Sequence, residues 1–203
     1  MKAKVPDELI VREYISGNHK AFDDIVSRYK TRLFHWILKF IGEPGRAEEL
    51  TQECFLRVYR HIHEFDMNRS FQTWIYRIAV NLAKNELRDR NRRPESRIVV
   101  SFLQSEQAEG PAIDTPAPAT SRPDICAEED ELVRRVQKAM QLMPMKFKEV
   151  LLLRELEEMS YDDIASVLQR PIGTVRSRVN RAREWLGKFI EAESNSEHTE
   201  DIS

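Results

Sequence analysis

The chain has 203 residues, and a third of them are charged, yet the formal net charge is only −2. No run of eighteen apolar residues occurs, and no hydrophobic signal core follows the first residues, so we expect a cytoplasmic protein that does not insert into a membrane. The two cysteines, Cys54 and Cys126, are too few and too dispersed for a disulfide framework or a zinc site. Because the sequence also lacks a nucleotide-binding glycine loop and a catalytic His/Asp/Ser pattern, we expect no enzyme activity, no metal and no cofactor.

The first half of the chain is predicted to be a bundle of helices. Apolar side chains recur at helical spacing, and Gly42 with the following Glu-Pro-Gly segment marks a break between two helices. Cys54 falls on one apolar stripe and is therefore expected to be a small core residue. The expected helices span about residues 7–17, 22–40, 47–62 and 71–90.

The composition changes in the middle of the chain. Five prolines lie between Pro94 and Asp124, with almost no hydrophobic periodicity. This composition is typical of a flexible linker, which we place at residues 94–127. Helical periodicity resumes at Glu128. The predicted fold is therefore all-α, with a helical domain at residues 1–93, a second helical domain at 128–190, and an acidic tail at 191–203.

Residues 160–186 have the pattern of a helix-turn-helix. Ser160 is placed to cap the first helix, Pro171 interrupts the chain, and Thr174 is expected to cap the second helix. Gln169 occupies the turn position that usually holds glycine, so we expect it to adopt a left-handed or adjusted backbone. The apolar residues of the second helix recur at helical spacing: Val175, Val179, Ala182 and Leu186.

Positive charge is concentrated in two patches. Residues 69–97 contain eight basic and three acidic side chains, and residues 170–188 contain six basic and one acidic. Two basic patches in a nearly neutral protein indicate two separate contacts with a polyanion. In the first patch, basic and amide side chains share one face of the fourth helix. They are Arg77, Asn81, Lys84, Asn85 and Arg88. Such a mixture suits contacts with both bases and phosphates.

Two further groups of residues allow more than one interpretation. Phe71, Trp74 and Tyr76 can stack on unpaired bases, but Trp74 lies on the apolar stripe and is more often a core residue. The first turns of the third helix carry an acidic face that includes Glu49 and Glu53. These acids suit the helix dipole, and they equally suit a protein docking site.

Three segments carry the most distinctive patterns. They are AEELTQECFLRVYR (residues 47–60), FQTWIYRIAVNLAKN (71–85), and LLLRELEEMSYDDIA (151–165) followed by GTVRSR (173–178). Over residues 20–93 and 130–190, in this order and with a linker between, the chain resembles the extracytoplasmic-function (group IV) sigma factors of bacterial RNA polymerase, and their envelope-stress branch in particular.

The resemblance implies a non-catalytic factor that directs transcription initiation during a stress response. Its partners would be core RNA polymerase, promoter DNA and an anti-sigma factor. The residues implied to dock on core polymerase are Glu49, Gln52 and Glu53. The residues implied to contact the minus-ten element are Arg69, Phe71, Trp74, Arg77, Asn81, Lys84, Asn85 and Arg88, with a base pocket in the loop from Glu64 to Phe71. The residues implied to contact the minus-thirty-five element are Arg154, Tyr161, Thr174, Arg176, Ser177, Arg178, Asn180 and Arg181.

Two other classes of protein stay open at this point. A one-component repressor or activator would need a ligand pocket or a dimerisation helix in residues 1–93, where the pattern shows an exposed Asn/Arg face instead. An enzyme would need a catalytic arrangement that the motifs do not supply.

Overall fold

The computed structural model describes residues 5–92 and 123–200, and within these ranges it contains helices and no strand. The helices of the N-terminal domain are α1 (Asp7–Ile15), α2 (Ala21–Ile41), α3 (Pro44–His61), a short 3-10 helix (Ile62–Glu64) and α4 (Phe71–Arg92). Those of the C-terminal domain are α5 (Pro123–Leu142), α6 (Met145–Leu151), a π-helical continuation (Leu152–Leu156), α7 (Tyr161–Leu168) and α8 (Ile172–Glu200). The predicted all-α fold with a helix-turn-helix is confirmed.

Most of the predicted linker lies outside the described residues, but its end is helical. Helix α5 begins at Pro123 and not at Glu128. The physical reason is that proline is favoured in the first turn of a helix, where its missing N–H would have no partner in any case. The first part of the predicted tail, residues 191–200, continues α8.

Aromatic side chains fill the core of the N-terminal domain. The rings of Trp36 and Phe40 stack with their centroids 5.1 Å apart. The ring of Phe71 is fully buried and meets Tyr29 and Phe65 edge-on at 5.7 and 5.5 Å. Burial of one such side chain contributes about 1.5–3 kcal/mol, so these rings fix the position of α4 against α2.

Cys54 lies in this core, as predicted, with no measurable exposure. Burial raises the pKa of its thiol to about 12. Since the thiolate is the reactive form of cysteine, this residue is a small core side chain and is chemically inert.

Charged side chains tie the helices of this domain together. The carboxylate of Asp7 in α1 pairs with Arg28 in α2. Glu86 in α4 accepts hydrogen bonds from Arg46 of α3 at 2.7 Å and from Arg90 at 2.9 Å. Burial alone would raise the pKa of Glu86, but these two hydrogen bonds lower it below its ordinary value. The exposed faces of α3 and α4 are thereby held in a defined relation.

The helix-turn-helix forms largely as its sequence predicts. The hydroxyl of Ser160 accepts a hydrogen bond from the N–H of Asp163 at 3.1 Å, which confirms the cap. Gln169 has φ 52° and ψ 50°, so the left-handed turn is also confirmed. The prediction that Thr174 caps the second helix was wrong. Helix α8 starts at Ile172, and the Thr174 N–H donates to the carbonyl of Pro171 at 2.9 Å.

The left-handed backbone at Gln169 yields a first prediction. A left-handed conformation costs an ordinary residue about 1–2 kcal/mol, whereas glycine adopts it freely. We therefore expect Gln169→Gly to raise the free energy of unfolding by about 0.5–1 kcal/mol in denaturant titrations. Arg170→Gly is the control, because Arg170 is equally exposed but does not have positive φ. A Gln169→Gly variant that is no more stable than Arg170→Gly would contradict this account.

Candidate nucleic-acid interface

One face of α8 is buried and the opposite face is polar and exposed. Val175, Val179 and Ala182 have no measurable exposure and anchor the helix to the C-terminal core. Four of the predicted minus-thirty-five residues lie on the opposite side and are exposed: Arg176, Ser177, Asn180 and Arg181. Arginine, serine and asparagine are side chains that read base edges in the major groove, and this face presents them together on a rigid helix.

A stack of cations on an aromatic ring flanks that face. The guanidinium of Arg154 lies 5.0 Å from the ring centroid of Tyr161, and that of Arg176 lies 5.7 Å from it. Arg154 also donates to the carbonyl of Met159 at 2.6 Å. The Tyr161 ring thus has two cations close to it, and their combined positive charge suits a phosphate.

The other four predicted minus-thirty-five residues are half-buried: Arg154, Tyr161, Thr174 and Arg178. Thr174 is half-buried in the first turn of α8. Arg178 is also half-buried, and it donates to the carboxylate of Glu149 at 3.0 Å. Glu149 is only 3% exposed, so its charge must be met inside the protein. In this conformation Arg178 supports the helix-turn-helix, and only part of its side chain is open to solvent.

The predicted minus-ten surface on α4 divides into two parts. Asn81, Asn85 and Arg88 are exposed. Arg77 and Lys84 are half-buried because each contacts the C-terminal domain: Arg77 donates to the hydroxyl of Ser166 at 3.3 Å, and Lys84 pairs with Glu149. The sequence predicted that these residues share one face of α4, and the structure confirms it. The C-terminal domain covers the part of this face that carries Arg77 and Lys84.

The loop before α4 borders a cavity of about 470 Å³. Its walls include Phe65, Asp66, Arg69 and Trp74. Asp66 shapes the loop, because its carboxylate accepts from the Asn68 N–H at 3.0 Å and pairs with Arg69 at 3.2 Å. The loop thus supplies a polar rim and an aromatic wall at the start of α4.

The aromatic residues of α4 differ in accessibility. Phe71 and Tyr76 are fully buried, so in this conformation neither ring can stack on a base. For Phe71, a predicted minus-ten residue, direct contact is contradicted, because its ring fills the space between Tyr29 and Phe65. Trp74 is half-buried: it packs against the core and also lines the cavity, so a core role and access to the cavity are both compatible with its position.

Sequence reasoning missed a residue that supports this loop. The carboxylate of Glu8 in α1 accepts a hydrogen bond from the N–H of Phe71 at 3.0 Å, which satisfies an otherwise unpaired donor at the start of α4. A carboxylate at this position also complements the positive end of the helix dipole. The two residues lie 63 positions apart, so no local signal could have revealed the cap.

Helix α3 presents the predicted docking residues on its outer face. Glu49 pairs with Arg46, Glu53 pairs with Arg57 at 2.8 Å, and Gln52 is exposed. Sequence reasoning missed two apolar side chains beside them, Leu56 and Tyr59, which are 51% and 55% exposed. Their positions four and seven residues after Gln52 were the available signal, since this spacing places all three on one helix face.

Family comparisons agree with this geometry. The chain matches Sigma-70 region 2 over residues 25–93 and Sigma-70 region 4 over residues 134–186. It is 36% identical to the RNA polymerase sigma-H factor of Pseudomonas aeruginosa, over 94% of this chain and 97% of that protein. It is 35% identical to the ECF RNA polymerase sigma-E factor of Haemophilus influenzae, over 94% of this chain and 98% of that protein.

Solved structures show the same fold. CnrH, in complex with the cytosolic domain of CnrY, matches with a TM-score of 0.65 at 22% identity, over 92% of this chain and 97% of that chain. The sigma factor RpoE of Bartonella quintana, in complex with the anti-sigma factor NepR, matches with a TM-score of 0.64 at 23% identity, over 85% of this chain and 98% of that chain.

The chain belongs to the extracytoplasmic-function sigma factors of the sigma-70 family. It is therefore a non-catalytic initiation factor that binds core RNA polymerase and directs transcription from specific promoters. Membership of this family decides between the three classes left open by the sequence: a sigma factor, a one-component repressor or activator, and an enzyme. None of the helices within residues 5–92 and 123–200 is long and apolar enough to cross a membrane.

The different surroundings of two arginines on α8 yield a second prediction. We expect Arg176→Ala to weaken binding of an upstream promoter duplex by about 1–3 kcal/mol at fixed salt and to alter base preference, while stability changes by less than about 0.5 kcal/mol. We expect Arg178→Ala to lower the free energy of unfolding by about 1–3 kcal/mol, because it leaves Glu149 without its partner on α8. Fluorescence anisotropy measures the effect on binding, with duplexes that the holoenzyme selects from random DNA. Denaturant titration measures the effect on stability.

Arg181→Ala is the parallel variant for the exposed face, and it should behave as Arg176→Ala does. Equal losses for every duplex sequence would identify both arginines as phosphate contacts and contradict base reading. A stable Arg178→Ala variant that loses base preference would show that Arg178 faces DNA.

Proposed function

We infer that this sigma factor reads the minus-thirty-five element with the exposed face of α8 and binds the melted minus-ten element with α4 and the loop before it. The observation that carries this assignment is the division of α8: its apolar residues are buried, while Arg176, Ser177, Asn180 and Arg181 are exposed together. The basic and amide residues of α4 form a second, separate surface. Two surfaces on two helical domains match two separated promoter elements.

The minus-ten assignment depends on the chemistry of the α4 surface. Asn81 and Asn85 are exposed one helical turn apart and can hydrogen-bond to base edges, while Arg88 on the next turn suits a phosphate. The cavity at the start of α4, lined by Phe65, Trp74 and polar side chains, has the character of a pocket for an extruded base. Capture of an extruded base offsets the few kcal/mol that unstacking costs.

Core polymerase docking is assigned to the outer face of α3. The acidic and amide residues Glu49, Gln52 and Glu53 supply a polar rim, and Leu56 and Tyr59 supply exposed apolar surface beside them. An apolar centre with a polar rim is the usual composition of a stable protein interface, and tyrosine is enriched at its energetic centre.

The domain boundaries and the remaining partners follow from these assignments. Residues 1–93 form the docking and minus-ten domain, and the minus-thirty-five domain extends from residue 123 to about 190. The protein acts in the cell interior with RNA polymerase, and we place it in the cytoplasm. Because a related sigma factor was solved in complex with an anti-sigma factor, we propose that such a factor restrains this protein as well.

A third prediction tests the docking face. We expect Leu56→Ala combined with Tyr59→Ala to weaken binding to core RNA polymerase at least about tenfold, since truncating interface aromatics commonly costs more than 1 kcal/mol. Biolayer interferometry with immobilised core polymerase measures the affinity. The control is Leu132→Ala combined with Val133→Ala, which removes side chains of similar exposure from α5. If the Leu56/Tyr59 variant bound core polymerase with full affinity, the assignment of docking to this face of α3 would be contradicted.

A fourth prediction tests the minus-ten surface. We expect Asn81→Ala combined with Asn85→Ala to impair promoter opening by the reconstituted holoenzyme without changing its assembly, because these amides lie on α4 and the docking face lies on α3. Permanganate reactivity of unpaired thymines on a promoter selected by the holoenzyme reports opening. The assignment would be contradicted if the Asn81/Asn85 variant and the unaltered protein gave equal permanganate reactivity on a promoter with a weakened minus-ten element.

A further inference from the structure

Helix α1 reaches the start of α4, although it precedes the residues that match Sigma-70 region 2. That match begins at residue 25, whereas α1 spans Asp7–Ile15. Ile10, Val11 and Tyr14 are buried and hold α1 in the core of the N-terminal domain. The first helix is therefore part of the same packed unit as the proposed minus-ten surface.

The first turn of α1 is fastened to α2. Arg28 donates to the carbonyl of Val5 at 2.8 Å and pairs with the carboxylate of Asp7. The hydroxyl of Tyr29 donates to the same carboxylate. Burial and the Asp7 carboxylate raise the pKa of Tyr29, so its hydroxyl keeps the proton that it donates. These contacts fix the position of Glu8, the next residue along the chain.

Glu8 completes the capping of α4. The first N–H groups of a helix have no partner within the helix. Two of them are satisfied here: the Thr73 N–H donates to the Ser70 hydroxyl at 3.3 Å, and the Phe71 N–H donates to the Glu8 carboxylate at 3.0 Å. The first cap is local, but the second comes from another helix. Glu8 is half-buried, so water is a poor substitute for its carboxylate.

The residue that Glu8 holds also supports the wall of the cavity before α4. The ring centroid of Phe71 lies 5.5 Å from that of Phe65 and 5.7 Å from that of Trp74, and these two are 5.4 Å apart. Phe65 and Trp74 line the cavity, whereas Phe71 is buried behind them. Because packed rings leave little free volume, a shift of the Phe71 backbone would move both walls.

We propose that Glu8 is a positioning residue for the capture of the extruded minus-ten base. Its carboxylate holds the N–H of Phe71, and Phe71 in turn holds the aromatic wall that receives the base. Glu8 acts through this backbone group and does not touch DNA. A wall that is already in place binds more tightly than one that must be ordered on binding. The role of Glu8 rests on the proposed function of the cavity as a base pocket.

The test separates the reach of the side chain from its charge. Glu8→Asp keeps the charge but withdraws the carboxylate by about one C–C bond, ~1.5 Å, which takes it out of hydrogen-bond reach of Phe71. Glu8→Gln removes the charge but keeps an acceptor oxygen at the same reach. The control is Glu13→Asp, the same shortening at an exposed position of α1. Aspartate also suits the first turn of a helix, so α1 should form in the Glu8→Asp variant.

Each full-length variant is assembled with core RNA polymerase, and its affinity for core is measured by biolayer interferometry. Fluorescence anisotropy then measures how tightly each holoenzyme binds the labelled non-template strand of a promoter that the unaltered holoenzyme selects. A series of such strands carries one abasic site, moved position by position through the minus-ten element. The captured base is the one whose removal costs the unaltered holoenzyme the most affinity, because stacking on aromatic side chains is lost with it.

We expect Glu8→Asp to weaken binding of the intact strand about fivefold, an effect of the size that a lost helix cap commonly has. The same variant should lose nothing more on the strand that lacks the captured base, because two changes that act through one contact are not additive. We expect Glu8→Gln and Glu13→Asp to bind the intact strand within about twofold of the unaltered protein, since both keep the hydrogen bond to Phe71. Affinity for core should be unchanged in all three variants.

The outcomes separate the role of Glu8 from the function of the cavity. An equal loss by Glu8→Asp on every strand, or a loss of affinity for core, would reveal general loosening of the domain and overturn the positioning role. Full strand affinity in Glu8→Asp, or an equal defect in Glu8→Gln, would overturn it as well. If the unaltered holoenzyme binds every abasic strand as tightly as the intact one, the base pocket itself is contradicted, and the role of Glu8 falls with it.

Discussion

The carboxylate of Glu157 imposes the constraint on which the arrangement of this molecule depends. It is almost entirely withdrawn from water, and an unpaired charge in such a position costs several kcal/mol. Arg32 supplies the opposite charge, and Tyr76 and His35 lie close enough to act on the same carboxylate. All three belong to the N-terminal domain. The Glu157 carboxylate is therefore paired with Arg32 only while the two domains are in contact.

Helix α4 serves two purposes, and its two faces explain how. Phe71, Tyr76 and Ala79 fill the core of the N-terminal domain with no measurable exposure, which fixes the helix in position and in rotation. The opposite face is thereby held as a rigid strip of amides and cations. Such a strip suits the proposed contacts to DNA, and in this structure part of it contacts α7, so one set of side chains has two possible partners.

In the C-terminal domain, neighbouring residues of α8 likewise have different roles. Arg176 and Arg178 are two residues apart and therefore point in different directions, one to solvent and to Tyr161, the other to Glu149. The second arginine stabilises the helix that presents the first. Glu149 in turn joins Arg178 to Lys84 of the other domain, so one carboxylate links the support of α8 to the contact between the two domains.

Membership of the extracytoplasmic-function sigma factors follows from local patterns and was therefore visible in the sequence. Helical periodicity, the cap at Ser160, the left-handed turn at Gln169 and the exposed polar face of α8 are properties of neighbouring residues, and local propensity with side-chain spacing determines them. The start of α5 at Pro123 and the place of Thr174 inside α8 were predicted wrongly, because proline and threonine are each compatible with more than one position near a helix start.

Tertiary structure alone decided which of these residues are accessible. The cap of α4 by Glu8, the burial of the Phe71 ring, and the pairing of Arg32 with Glu157 join residues 63, 42 and 125 positions apart. Such pairs depend on how complete helices pack, and the spacing of residues within a helix carries no information about a distant partner. The sequence by itself determined the helices and the faces that we propose to bind DNA. The packing of the two domains decided that part of one face is covered, because buried charges must meet their opposites wherever the chain brings them together.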